Sequence, residues 1–130
     1  MTYTQSELEE MLAKMRAASG KRGQAFFRAL VAALDGMPEK RLVEGKLQEP
    51  EGAVCALGAL GVARGVDLGT VDTRDYEQLG ELFDVAPQLI QEVMYMNDEI
   101  PGSPERRWER VRKWAARQII VEAADLESEP

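Results

Sequence analysis

The sequence predicts an all-α fold, a compact bundle of five to six helices around a buried central helix. Apolar residues recur at helical spacing, glycine or proline interrupts the chain between these segments, and one central stretch is apolar on all sides. The chain has 130 residues with 45% apolar content, the size of one domain with one core. We expect that domain to span residues 1–125, with an acidic, frayed tail at 126–130.

Two amphipathic helices are predicted at the start of the chain. Ser6 and Glu9 have capping-box spacing, and the first helix is expected from about Glu7 to Ala18, where Gly20 ends it. Its apolar residues are Leu8, Met11, Leu12 and Met15. The second helix ends at Gly36 and carries Phe26, Phe27, Leu30, Val31 and Leu34.

A polar loop and the central helix are expected next. Residues 37–52 contain several helix breakers and are predicted to form a loop, with a short strand or turn at residues 41–43. The segment from Ala53 to Arg64 is apolar all round, as in a helix at the centre of a bundle, and Gly65 should stop it. Gly58 and Gly61 within it predict the close approach of a neighbouring helix.

Three further helices are predicted in the second half of the chain. Asp72 can cap a fourth helix, and Pro87 opens a fifth, for which Asn97 fits a left-handed C-terminal cap. Ser103 followed by Pro104 is a start signal for a last helix, expected to reach about Ala124.

Charge is distributed unevenly along this acidic chain, whose formal net charge is -7. Residues 106–117 hold six basic residues and one acidic residue, whereas residues 65–105 hold ten acidic residues and one basic residue. Only the basic block can attract a polyanion, so wrapping of nucleic acid by the whole protein is disfavoured.

The residue inventory excludes the common forms of hydrolytic and zinc chemistry. The chain has one cysteine, Cys55, and no histidine, so it lacks Cys-His and Ser-His pairs and zinc-ligand spacing. We therefore expect no catalytic residue, no metal site and no cofactor. Cys55 lies in an apolar run and is interpreted as a small buried hydrophobic residue. Neither a secretory signal nor a bilayer-spanning stretch is evident, which predicts a cytoplasmic protein.

One segment matches the helix-turn-helix template. The spacing of Gly80 in one helix, Asp84 at the turn and Val85 after it fits two helices meeting at a tight corner. As a DNA reader, the second helix would present Gln88, Gln91 and Glu92 to the major groove. Arg74 is the one basic residue between Gly65 and Glu105, so phosphate contacts are scarce and simple packing is the favoured interpretation.

The last helix is predicted to be two-sided. One face carries Trp108, Val111, Ala115 and Ile119, and the opposite face carries Arg106, Arg110, Lys113 and Arg117. Trp114 lies outside the apolar stripe, one turn from Arg110 and from Arg117, which predicts an indole among guanidinium groups at the surface. Because Trp and Arg are enriched at interface hot spots, this face is the candidate partner-binding surface. The alternative is a solvated face whose charges pair with Glu109 and with the acidic region 65–105.

The chain resembles a set of small uncharacterised phage and prophage proteins. The resemblance runs from about Arg41 to Ala115 and is carried by Cys55-Ala56-Leu57-Gly58-Ala59-Leu60 and by the later Asn97-Asp98 pair. The family often has a doubled cysteine where this chain has Val54-Cys55. The resemblance implies an origin in a phage or mobile element, and no known activity.

Together these features predict a non-catalytic accessory protein that binds a host or phage macromolecule. A host or phage protein is the expected partner, and a membrane is not. The alternative is a helix-turn-helix DNA-binding regulator with phosphate contacts from the last helix. The sequence leaves a homodimer open.

Overall fold

A computed structural model describes residues 2–120 and contains six α-helices. They are α1 (Gln5–Ser19), α2 (Lys21–Asp35), α3 (Ala56–Arg64), α4 (Tyr76–Phe83), α5 (Pro87–Asp98) and α6 (Pro104–Gln118). Within the described range no strand forms, and one isolated antiparallel bridge joins Gln48 to Val54. The predicted all-α class is confirmed. The expected tail at 126–130 lies outside the described residues.

The core is formed around α3, which packs against α2 and α5. Residues 56–61 of α3 are all buried, as predicted for the central helix, whereas Val62 in its last turn is 57% exposed. The largest fully buried side chains come from α2, α3, α4, α5 and two loops: Phe26, Phe27, Leu30, Leu34, Leu42, Leu57, Leu60, Leu68, Leu79, Phe83, Leu89 and Ile90.

The central helix begins at Ala56, so the predicted start at Ala53 is wrong. The three residues before it are extended because their backbone bonds to the polar loop. Val43 N–H donates to Val54 O at 3.0 Å, and Cys55 N–H donates to Leu47 O at 3.3 Å. The loop expected at residues 37–52 is confirmed, but residues 41–43 form no strand.

The close approach predicted at Gly58 and Gly61 exists, but its partner is a loop and not a helix. A Cβ atom at Gly58 would lie 1.8 Å from Leu47 O. At Gly61 it would lie 2.8 Å from the Leu68 Cδ1 atom. The first contact is with main chain that is itself held by hydrogen bonds, so the glycine at 58 lets the polar loop lie directly on the central helix.

Helix ends follow local capping rules, although three predicted caps were wrong. Thr4, not Ser6, caps α1 by accepting from Glu7 N–H, and Asp75, not Asp72, caps α4. Asn97 is buried inside α5 and is not its C-terminal cap. The predicted signals at Gly65, Pro87 and Ser103 are confirmed: Gly65 is left-handed, Pro87 opens α5, and the Ser103 hydroxyl accepts from Arg106 N–H.

The last helix ends earlier than the predicted Ala124. Its C-terminal neighbour Ile119 has extended backbone, and the exposed end is bonded to Gln24 of α2. The Gln24 side chain donates to Gln118 O and accepts from Ile120 N–H, both at 2.8 Å. These two bonds satisfy main-chain groups that further helix would otherwise use, so α6 stops at Gln118.

Candidate functional site

The inner face of α6 is defined by three buried residues at intervals of four. Val111 and Ala115 are fully buried, as predicted, and Arg107 is 5% exposed on the same face. Trp108 is half-buried at the edge, where its Nε1–H donates to Leu34 O at 3.1 Å. This face fixes which residues of α6 point outward.

The outer face of α6 forms one wall of a shallow depression of about 400 Å³. All five residues predicted to bind a partner line it. The lining residues are Met96, Pro101, Arg106, Glu109, Arg110, Lys113, Trp114 and Arg117. We call this set the α6 basin. It combines four basic side chains with one carboxylate, a thioether and an indole.

Trp114 is less exposed than predicted. It is half-buried, and its ring meets the ring of Phe27 edge to face with centroids 5.5 Å apart. Trp114 lies next to the buried stripe of α6, and α2 covers that side of the helix, so one edge of the indole joins the core. The remaining surface of the ring is part of the basin wall.

Arg110 is anchored by the loop before α6. Its guanidinium donates to Ile100 O at 2.8 Å and to Pro101 O at 3.1 Å. The Nε atom is buried and has no hydrogen-bond partner among the described residues. Arg110 therefore holds this loop against α6, and we expect charge reversal at this position to lower stability.

The other three cations of the basin are exposed to solvent. Arg106, Lys113 and Arg117 are exposed and make no ion pair with any residue in the range 2–120. The alternative interpretation expected a solvated face whose charges pair with Glu109 and with the acidic 65–105 region. These three residues are exposed to solvent, as it expected, but they make none of those ion pairs. Three exposed cations without an ion pair in this range, beside half-buried aromatic surface, make the basin electropositive in an acidic protein.

Arg112 belongs to α6 but not to the basin. Its guanidinium makes two hydrogen bonds to the Asp35 carboxylate, both at 3.0 Å, and joins α6 to the end of α2. The pKa of Asp35 is lowered by this hydrogen bond from Arg112. Arg112 is a tether between two helices.

The predicted helix-turn-helix corner is present as a backbone feature. Asp84 links α4 to α5 in the left-handed conformation, with φ 55° and ψ 50°. Val85 N–H donates to Gly80 O at 2.9 Å, and a Cβ atom at Gly80 would lie 2.7 Å from Val85 O. A small residue at position 80 is therefore required for the corner to close.

The predicted DNA-reading residues lie away from the α6 basin. Gln88 and Gln91 are exposed and Glu92 is half-buried on α5. The depression beside Gln91 is also lined by Asp98 and Glu99, whose carboxylates would repel phosphate. The acidic residues Glu77, Glu81 and Asp84 line the depression at the corner itself.

A buried polar network was missed by the sequence analysis. The Arg107 guanidinium donates to Asn97 O at 2.8 Å, to Leu42 O at 3.0 Å and to Gly102 O at 3.3 Å. Arg107 also lies 3.6 Å from the exposed Glu44 carboxylate. Its position four residues before Val111 on the apolar stripe could have identified it as buried.

The Asn97-Asp98 pair belongs to the same network. The Asn97 amide donates to Val43 O at 2.9 Å, and its Oδ1 accepts from Ala56 N–H at 3.0 Å. The Asp98 carboxylate accepts from Gly45 N–H at 3.0 Å. These contacts tie the polar loop to α3 and α5, so the pair has a structural role.

Cys55 is fully buried at the start of α3, as predicted for a small hydrophobic residue. Burial raises the pKa of its thiol to about 11, so the reactive thiolate is scarce at neutral pH. Asp72 and Asp75 accept backbone N–H groups in a turn and in a helix cap. Within residues 2–120, no group of three or more potential metal-ligating side chains comes together.

None of the helices in the described part of the chain is long and apolar enough to cross a bilayer. Comparison of the chain with protein-family models, with curated proteins and with solved structures gave no match. The α6 basin is therefore interpreted from its own geometry and charge.

Proposed function

We propose that the protein is a non-catalytic accessory protein of phage or prophage type, which binds a host or phage protein through the α6 basin. One observation carries the proposal: Arg106, Arg110, Lys113, Trp114 and Arg117 line a single depression. The complementary partner surface is acidic, with an apolar side chain to cover the indole. The proposed setting is the cytoplasm of the host cell.

The basin contains two anchored side chains and three exposed cations, and this combination supports binding of a protein surface. Arg110 and Trp114 are held by the loop and by Phe27, so they present a partly preorganised floor. Arg106, Lys113 and Arg117 are free to exchange water for carboxylates of a partner. Such a mixture of anchored aromatic and exposed charged groups is typical of interface hot spots with a polar rim.

The test is differential capture from a lysate, with variants that leave the anchors intact. The site variant is Lys113→Glu with Arg117→Glu, both at exposed positions. The matched control is Lys46→Glu with Arg74→Glu, two exposed positions outside the basin that give the same change of net charge. Circular dichroism and thermal melting establish that both are folded.

We expect a protein that is retained by the wild type and by the control, and released by the site variant. With that protein purified, the site variant should weaken binding by about tenfold or more, since hot-spot losses reach about 2 kcal/mol. Trp114→Phe, which keeps an aromatic ring against Phe27, should weaken it less. Equal capture of the same protein by the site variant and the wild type would show that the basin is not the docking surface.

A DNA-binding regulator is the second candidate, and the corner formed at Asp84 favours it. It would read DNA with Gln88, Gln91 and Glu92. The test is selection from a random DNA pool, followed by anisotropy at increasing salt. A recovered consensus whose affinity falls when Gln88 and Gln91 become Ala would support DNA reading and contradict the first proposal. We expect no consensus.

A further inference from the structure

Helix α1 turns its most apolar face to solvent. None of its residues is buried, although it packs against α2 and α5. Its side facing the body of the protein carries small residues, including the half-buried Ala13 and Ala17. On the opposite side, four large apolar residues at positions i, i+3, i+4 and i+7 are exposed by 44% to 64%: Leu8, Met11, Leu12 and Met15. A helix that only covered a core would be oriented the other way.

Charged residues flank this α1 stripe in a regular order. Glu7 and Lys14 lie along one side of it, and Glu9 and Arg16 lie along the other. On each side the acid is in the N-terminal half and the base in the C-terminal half. None of the four makes an ion pair within the described range of the chain.

This order of charges selects a second copy of the chain as the occupant. We propose that two molecules associate through α1 stripes packed antiparallel. Leu8 then faces Met15 of the second copy, and the two-fold axis passes between Met11 and Leu12. On each flank an acid meets a base: Glu7 lies near Lys14 of the second copy, and Glu9 near Arg16. Parallel packing would place like charges together, and it is disfavoured for that reason.

The size of the stripe sets the strength of the dimer. Helix α1 has 15 residues. Such a helix is about 22 Å long. Because the proposed contact uses one face of one short helix, we expect it to bury less than the roughly 800 Å² per partner of a standard stable interface. We therefore expect a dimer that dissociates on dilution, with a Kd of about 1 μM or weaker. The α6 basin lies on a different helix and is separate from this contact.

Sedimentation velocity across a concentration series measures the association. The test variant is Met15→Glu, and the matched control is Val62→Glu on α3, since these side chains are 64% and 57% exposed. Met15→Glu should raise the Kd by about tenfold or more, and Val62→Glu should not change it. A protein that stays monomeric up to the highest concentration, or a dimer unaffected by Met15→Glu, would overturn the proposal.

Charge exchange tests the flanks. Glu7→Lys with Glu9→Lys should weaken the dimer. Adding Lys14→Glu and Arg16→Glu to the same chain reverses every charge and restores acid opposite base in the antiparallel pair. Helix content is compared by circular dichroism, because acidic residues favour a helix N-terminus. A fully exchanged, helical variant that does not regain association would contradict the charge complementarity.

Disulfide formation tests the orientation, since the buried Cys55 does not compete with an introduced thiol. In the antiparallel pair, Met11→Cys places two thiols about 1.5 Å apart along the axis, whereas Leu8→Cys places them about 10 Å apart. A disulfide needs Cα atoms within roughly 7 Å. Met11→Cys should therefore cross-link, and Leu8→Cys should do so when mixed with Met15→Cys but not alone. Cross-linking of Leu8→Cys to itself would indicate parallel packing and overturn the proposal.

Discussion

Replacing Arg107 by methionine should strongly destabilise the fold. Arg107 is 5% exposed and donates to three carbonyl groups, those of Leu42, Asn97 and Gly102. Methionine fills a similar volume but donates no hydrogen bond, so two buried carbonyls and one partly buried carbonyl lose their donor. Hydrogen bonds from a charged donor contribute about 1.5–3 kcal/mol each, and breaking a buried charged network typically costs about 3–5 kcal/mol.

Part of that loss is offset, because the variant no longer buries a charge. We therefore expect the free energy of unfolding to fall by about 3 kcal/mol. Arg107→Lys keeps the charge but lacks the planar guanidinium that reaches three acceptors. Its free energy of unfolding should therefore lie between those of the wild type and Arg107→Met. The control is Arg112→Met, which removes the exposed pair with Asp35 and should cost about 1 kcal/mol or less. Urea unfolding followed by circular dichroism measures all three. Equal losses for Arg107→Met and Arg112→Met would refute the assignment of Arg107 as the centre of the network.

Three further predictions concern the backbone and the thiol. Gly58→Ala should lower the free energy of unfolding by about 3 kcal/mol, because the added Cβ meets the main-chain oxygen of Leu47. Gly61→Ala should lower it by about 1 kcal/mol, because there the Cβ meets the Leu68 side chain, which can move. Equal melting temperatures of the two variants would contradict this. Asp84→Gly should leave stability unchanged or raise it by up to about 1 kcal/mol, whereas Asp84→Val should lower it by about 1–2 kcal/mol in the left-handed position. If both variants unfold at the same urea concentration, backbone strain at the corner is not the cause. Because burial raises the pKa of Cys55 to about 11 while the unfolded thiol titrates near 8.5, the wild type should lose stability relative to Cys55→Ala as pH rises above about 8.5; parallel pH profiles of the two proteins would argue against it.

The features that the sequence predicted correctly are those fixed by neighbouring residues. Ser103 and Pro104 start α6, and Pro87 starts α5, because a capping hydroxyl and a preset φ act within one turn. The left-handed residue Gly65 likewise ends α3. The apolar run after Ala56 was recognised as the buried centre because it has no polar side to expose.

The features that could not be predicted from the sequence depend on contacts between residues far apart in the chain. Asn97 is a residue type that often caps helices. In the fold its side chain instead bonds to the backbone of Val43 and Ala56, and these bonds stabilise its buried position within α5. A glycine at position 58 indicates that another part of the chain lies close, but it does not indicate whether that part is a helix or a loop. Thr4 and Ser6 are both residue types that can cap the start of α1, and in the structure Thr4 is the cap.

The same distinction applies to the candidate site. Helical periodicity alone brings Arg106, Arg110, Lys113 and Arg117 to one face of α6. The anchoring of Arg110 depends on how the preceding loop folds back, and the half-burial of Trp114 depends on Phe27 of α2. Neither contact leaves a local signal in the sequence.

The hydrogen bond from Ala56 N–H to the side chain of Asn97 links the start of the central helix to a residue 41 positions later in the chain. Cys55 offers no side-chain cap of its own, and two glycines weaken the intrinsic helix propensity of α3. A nine-residue helix of this kind is too short to persist alone in water. We therefore expect α3 to be stable only when it is packed against α2 and α5, and a chain that ends before Asn97 to lack the bond that caps the first turn of the central helix.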